Sequence, residues 1–234
     1  MTNRIAIMLT AAILATTSIA SCSSTGKPDS LYAKASVAGQ QTLLESSRKA
    51  AESAIRASER SEKKDLAMGG IDSSERCLMA APENPGCYYW RAVNTGLYHS
   101  VHVSDYQKGV KRMVSDCEKV IGIDPDYENA GAYRMLGQLY TRLPQTAIHP
   151  GSVIRDLDRA EDYLRKAVQI SPDYPENHLA LAETLLENGK AKEAMEELIL
   201  SNELAPQWRK DISYEQWRHE SLALERKIED KSGD

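Results

Sequence analysis

Apolar positions between Pro172 and Pro206 follow helical spacing twice over. His178, Leu181, Ala182 and Leu185 fall on one face of a helix, and Ala194, Leu198 and Ser201 on one face of the next. Gly189 between them suits a left-handed turn, and Pro206 ends the second helix because its ring and missing N–H do not fit a helix interior. Ala182 and Ala194 are small, so two helices meeting there approach closely. The second helix has a ruler that recurs. Met113, Cys117, Val120 and Pro125 are separated by four, three and five residues, as are Ala160, Leu164, Ala167 and Pro172, and Ala194, Leu198, Ser201 and Pro206. First-helix faces recur too, as Tyr133, Leu136, Gly137 and Tyr140, and as Tyr88, Ala92 and Thr95 with Arg91 in the leucine place. Further out the pattern predicts a helix from Leu31 to about Lys64, a break at Gly69-Gly70, and a short helix from Ile71 to Ala81. A charged helix follows from about Ser213 to Glu229, with Trp217, Leu222, Leu224 and Ile228 as its apolar side.

Pro172 and Pro206 are 34 residues apart. With the small and large positions above, this resembles the tetratricopeptide repeat, a helical hairpin of about 34 residues. The resemblance covers roughly Ala54 to Pro206, the hairpin before Pro82 being a degenerate unit or a cap. It implies an all-α, tetratricopeptide-like hairpin array, an α-solenoid, with long inter-helix insertions and a C-terminal capping helix. The period is uneven: Pro82 to Pro125 is 43 residues and Pro125 to Pro172 is 47. The surplus is expected between the paired helices, near His99 to Gln107 and near Arg142 to Arg155. The stretch from Leu143 to Ile154 is apolar enough to fold back on the helices. In such an array the first helices line a concave groove, here presenting Tyr89, Val93, Arg134, Gln138, Leu179, Glu183 and Leu186. That mixture of apolar and hydrogen-bonding groups suits an extended peptide or a small amphipathic ligand; the alternative is a merely solvated face.

Net charge is −5 and both signs are mixed along the chain, which argues against a nucleic-acid partner. Phe is absent, but 11 Tyr and 3 Trp can fill large core positions. The chain opens differently. Arg4 precedes a mostly apolar run from Ile5 to Ala20, short for a membrane span and suited to a secretory signal. The run ends Ile19-Ala-Ser-Cys22, which looks like the lipobox of bacterial lipoproteins. That resemblance implies cleavage before Cys22, an acylated Cys22 thiol and a membrane anchor; the alternative is an ordinary signal with a chance cysteine. Ser23 after the cysteine would favour the outer membrane over the inner in enteric bacteria. The expected layout is a signal over 1–21, a flexible tether over 22–30, of which Ser23 to Ser30 reaches at most about 26 Å, a helical domain over 31–230 and a frayed tail over 231–234.

Export places Cys77, Cys87 and Cys117 in an oxidising compartment with an odd count. A Cys77–Cys87 bridge across a proline-containing loop, a Cys87–Cys117 bridge between antiparallel helices, and three small buried thiols all remain open. No phosphate loop, nucleophile elbow or zinc-protease pair is present, so no catalysis and no cofactor are expected. His99 and His102 sit three apart without a further ligand at metal spacing. His178 holds a packing position. Asp124 and Asp126 are expected to cap the helix starting near Tyr127.

A narrower resemblance rests on Cys87-Tyr-Tyr-Trp-Arg-Ala-Val-Asn-Thr-Gly-Leu97, on Tyr133-Arg-Met-Leu-Gly-Gln-Leu-Tyr140, and on Asp156-Leu-Asp-Arg-Ala160. These look like helices of the T-component lipoproteins of tripartite periplasmic transporters. That family implies a lipid-anchored helical protein that pairs with a periplasmic solute-binding subunit, forms homo-oligomers and carries an apolar cavity. The function expected is non-catalytic binding of an envelope protein. A carrier for a small apolar ligand is the alternative.

Overall fold

The structure, a computed structural model, describes residues 30–147 and 149–232, with side chains over 39–147 and 149–231. The signal, Cys22, the tether before Ser30, and Gly233 and Asp234 lie outside the described residues. Nine α-helices follow one another among the described residues: α1 (Ser30–Arg56), α2 (Arg60–Ala80), α3 (Pro85–Val101), α4 (Tyr106–Ile123), α5 (Tyr127–Arg142), α6 (Leu157–Ile170), α7 (Pro175–Glu187), α8 (Ala191–Leu204) and α9 (Tyr214–Ser232), with a 3-10 turn at Ala205–Trp208. Consecutive helices pair as four hairpins. The first helices α1, α3, α5, α7 and α9 pack side by side, while the second helices make at most marginal contact with one another. The ribbon therefore curves with its first helices inside. This is the all-α hairpin array that the spacing predicts.

The ruler positions are where the hairpins close. Cys117, Val120, Ala160, Leu164, Ala167, Ala194, Leu198 and Ser201 are all buried. Gly137 lies so close to α6 that a Cβ there would meet Leu164 Cγ at 2.3 Å. Gly189 takes φ +76°, and the turn it makes closes with Lys190 N–H donating to the Leu185 carbonyl at 2.8 Å and Gly189 N–H to that of Leu186 at 3.1 Å. Asn84 and Asp156 cap α3 and α6 by accepting from the amides of Gly86 and Arg159, at 2.9 and 3.0 Å.

Several expected boundaries move. The helix expected to reach Lys64 ends at Arg56, and α2 runs unbroken through Gly69-Gly70. Gly70 is buried against α3, where a Cβ would meet the Asn94 amide at 2.3–2.5 Å. Helix packing there outweighs the roughly 1 kcal/mol that each glycine costs a helix. The α1–α2–α3 junction is built from small and polar groups: Ser47 and Ser74 hydroxyls lie 2.6 Å apart, and Asn94 Nδ2 donates to the Ser47 carbonyl at 3.1 Å. The surplus expected at His99–Gln107 goes into helix instead. Helices α3 and α4 have 17 and 18 residues against 13 and 14 in α7 and α8, about one turn more each. The second insertion folds back at its ends only. Gln107 of α4 donates to the Val153 carbonyl at 3.0 Å and accepts from the Val153 amide at 2.9 Å, while Pro144, Thr146 and His149 are exposed. In α9, Leu222 is 50% exposed and Ser221 takes its place on the buried face with Trp217, Leu224 and Ile228. Helix α9 also extends through Lys231 to Ser232, and α1 already begins at Ser30.

One element departs from its sister units. Pro82 precedes Tyr88, and Pro172 precedes His178, by six residues; Pro125 precedes Tyr133 by eight. The packing face of α5 keeps its register because the extra residues wind the other way. Glu128, Asn129 and Ala130 have φ of 52°, 55° and 58°. Left-handed geometry costs L-residues about 1–2 kcal/mol each, less for Asn. Neither aspartate caps α5: Asp126 accepts from the Ser171 hydroxyl at 2.6 Å, and Asp124 from the Asp126 amide at 3.3 Å. The reversed turn carries the first amides of α5 away from both carboxylates.

Candidate functional site on the concave face

The side chains expected to line the groove divide into two groups. Tyr89 and Arg134 come together in the wall below the left-handed turn, both nearly buried. Arg134 Nη1 donates to the Asn129 carbonyl at 3.1 Å and to Asn177 Oδ1 at 2.9 Å, its Nε lies 3.2 Å from Glu176 Oε2, and its guanidinium sits 4.7 Å over the Tyr174 ring. Burial alone would weaken its hold on the proton. Glu176, with Tyr89, Tyr174 and Glu128, outweighs that and keeps it charged. Burial raises the Tyr89 phenol above its ordinary range, against the pull of Arg134.

The segment after α8 crosses this cluster. Trp208 meets Tyr174 edge to face at 4.8 Å and donates to the Asp173 carbonyl at 3.1 Å. Asp211 follows. Burial raises its carboxyl above the ordinary range against the Ser213 amide, with Glu176 adding to the push and Arg134 opposing it. Glu128 is raised in the same way, by burial first, with Arg48 and Arg134 pulling it down and Asp211 pushing it up. Three carboxyls thus share the field of Arg134. Further out, Arg48, Glu52 and Arg56 of α1 face Gln207, Trp208, Lys210, Asp211 and Ile212 across a cleft of about 460 Å³.

The second group sits on α7. Leu179 and Glu183 border a cleft of about 220 Å³ completed by Arg142 of α5 and by Glu220, Ala223, Leu224 and Lys227 of α9. Its floor is apolar and its rim charged, with Arg142 donating to Glu183 at 2.7 Å. Leu186 lies outside the cleft: it is 1% exposed and packed with Leu224 and Ile228, so α9 covers it. Val93 and Gln138 are half-buried, Val93 packing against the core around Tyr89. Sequence reasoning missed the α9 side of the cleft and the Glu128–Asp211 pair. The apolar side of α9 was visible as a cap, but not the surface it would share with α7.

The remaining polar groups are structural. His178 is held at both ring nitrogens, by Glu197 at 2.7 Å and by the Pro172 carbonyl at 2.7 Å. Arg91, in the leucine place, forms a fork with Asp116 of α4 at 2.9 and 2.6 Å. His99 Nδ1 donates to the His102 carbonyl at 3.0 Å, and no cluster of three metal-ligating groups occurs among the described residues. Cys77 and Cys87 form a disulfide between α2 and α3 with Cα atoms 5.8 Å apart, and Cys117 is a buried, unbridged thiol.

A known repeat family matches the stretch that supplies the α7 wall of the cleft. Residues 155–212 match the tetratricopeptide repeat. That stretch spans α6, the α7–α8 hairpin and the segment across the concave face. A solved structure agrees on the fold: a thermophilic tetratricopeptide repeat protein of Thermus thermophilus superposes with a TM-score of 0.52 at 20% identity, over 68% of this chain and 74% of that one. No curated protein matches the chain. Tetratricopeptide repeats are in general protein-interaction modules, and the concave face is the surface such arrays present.

Proposed function

We propose that the chain is a non-catalytic, lipid-anchored protein of the bacterial cell envelope that binds another envelope protein through its concave face. The observation that carries the reading is the cleft between α7 and α9, with the buried Leu179 and Leu224 beneath Arg142, Glu183, Glu220, Ala223 and Lys227. An apolar floor for one anchoring side chain and charges for register are what an extended peptide needs. At about 220 Å³ it is smaller than the roughly 300–1,000 Å³ of pockets that enclose a small ligand, so this cleft suits one anchoring side chain rather than a whole ligand. Anchoring rests on Ile19-Ala-Ser-Cys22 after its apolar run, outside the described residues. The Cys77–Cys87 disulfide accords with an oxidising compartment. The likeness to T-component lipoproteins makes a periplasmic solute-binding subunit of a tripartite transporter the first partner to try.

The test is capture from detergent-solubilised envelope with wild type and with a Glu183→Lys/Lys227→Glu variant. One protein retained by wild type and lost by the charge-swapped variant, with equal helicity in both, is the expected result. Identical retention by the two would remove the cleft from the reading. Mass spectrometry before and after alkaline hydrolysis reports separately on Cys22: loss of fatty-acid mass is expected, and an unmodified thiol there would defeat the anchor.

A further inference from the structure

We propose that the left-handed turn at residues 128–130 is a sprung joint between the two halves of the array, held by Arg134 and Asn177, and that its release changes the opening of the concave face between α1 and the 207–212 segment. A surplus of two residues normally sits in an exposed loop at little cost. Here the residues are wound into three successive left-handed positions, two of them without the tolerance of Gly or Asn, with Ala130 fully buried. Strain of this kind persists only where the surroundings hold it.

The holders are identifiable. The Asn129 carbonyl accepts from Arg134 Nη1 at 3.1 Å and from Asn177 Nδ2 at 3.2 Å. Asn177 is fully buried, and its amide also reaches the Ala167 and Ser171 carbonyls at 3.2 and 3.0 Å, which ties the end of α6 and the start of α7 to the turn. A second arrangement is available to the same residues. Right-handed, they would lengthen the regular part of α5 that follows Ala130 by about one turn, in which each carbonyl faces the amide four residues on. The hand of this turn sets the direction in which the chain leaves α4 for α5, so changing it moves the first two hairpins against the last two. Glu128 on the turn lies in the field of Arg48 and Glu52 of α1 and of Asp211. Arg48, Glu52 and Asp211 line the cleft between α1 and the 207–212 segment, where such a movement would be felt. The joint does not depend on what the concave face binds.

The experiment is hydrogen–deuterium exchange with small-angle scattering on the whole protein, in wild type, Asn177→Ala, Ala130→Gly and the double variant. Asn177→Ala is expected to speed exchange of amides 127–131 about tenfold relative to amides 133–140 and to raise the radius of gyration. Ala130→Gly relaxes the spring, because Ala130 is held at φ 58° and glycine takes the left-handed region without strain. It is expected to slow exchange at 127–131, and in the double variant to restore most of the wild-type protection. If Asn177→Ala loosened only the 171–177 turn, or failed to fold, the single Ala130→Gly variant still decides. A lowered unfolding midpoint and faster exchange there, as for a glycine inside an ordinary helix, would overturn the joint. Absence of rescue in a folded double variant would overturn it too.

Discussion

His178 shows how much a single side chain at a packing position can carry. A backbone carbonyl only accepts, so the ring nitrogen facing Pro172 bears a proton; the nitrogen facing the Glu197 carboxylate bears the other. Burial alone would lower the pKa of this imidazole, but Glu197 and the Pro172 carbonyl outweigh it and the value is raised above the ordinary 6.5. The sign of the linkage follows. A raised folded value means that the charged form stabilises the native state fully below about pH 6.5, the unfolded value, and that this contribution is lost as pH rises through the folded one. Urea denaturation of wild type and His178→Gln should therefore show a stability difference that is largest below about pH 6 and shrinks in more basic solution. A difference that grows with pH would mean that the ring is neutral.

At the scale of the element, Arg91 and Asp116 make the α3–α4 hairpin differ from its sisters. The other first helices place Leu136 and Leu181 where α3 has Arg91. The arginine is accommodated because Asp116, 2% exposed, meets it from α4 in a two-bonded fork. Burial raises the Asp116 carboxyl while Arg91 pulls it down, so the pair is held together against a desolvation cost. Removing Arg91 leaves the buried Asp116 carboxylate without its partner, and Arg91→Ala is expected to lower stability by about 3–5 kcal/mol. Replacing both with leucine restores the apolar contact of the sister hairpins and should come within about 1 kcal/mol of wild type or exceed it. Thermal or urea unfolding of the single and double variants measures the difference; additive losses would show that the pair is not coupled.

For the molecule as a whole, α9 decides where the array ends. A hairpin stack exposes the apolar side of its last unit, and Trp217, Leu224 and Ile228 cover that side of α7 and α8. The same helix supplies one wall of the cleft, so the cap and the candidate binding surface are one element. Truncation after Lys210 would uncover Leu179, Leu186 and Tyr174. The shortened chain is expected to bind a hydrophobic dye, to melt at least about 5 °C lower and to associate with itself. A monomeric truncation with an unchanged midpoint would show that α9 is an appendage rather than a cap.

The sequence by itself determined the hairpins. Periodicity of apolar and small positions, the four-three-five ruler before each proline, and Gly189 are local signals, because a helix face and a turn are specified by residues within a few places of one another. Tertiary structure decided what local signals leave open. Residues 57–59 end α1 without a glycine or proline, and Gly69-Gly70 fails to end α2 because Ser47, Ser74 and Asn94 meet around Gly70 from three helices. The groove expected on α7 is partly filled by α9, which is distant in sequence and joins it only when the ribbon closes. The surplus was expected between paired helices, whereas two residues of it fall between Pro125 and Tyr133, and the hand in which they wind has no local signal. That hand depends on Arg134 and on Asn177, which reaches the Asn129 carbonyl from the neighbouring hairpin. A contact of that range is chosen by packing, after the helices themselves are already specified.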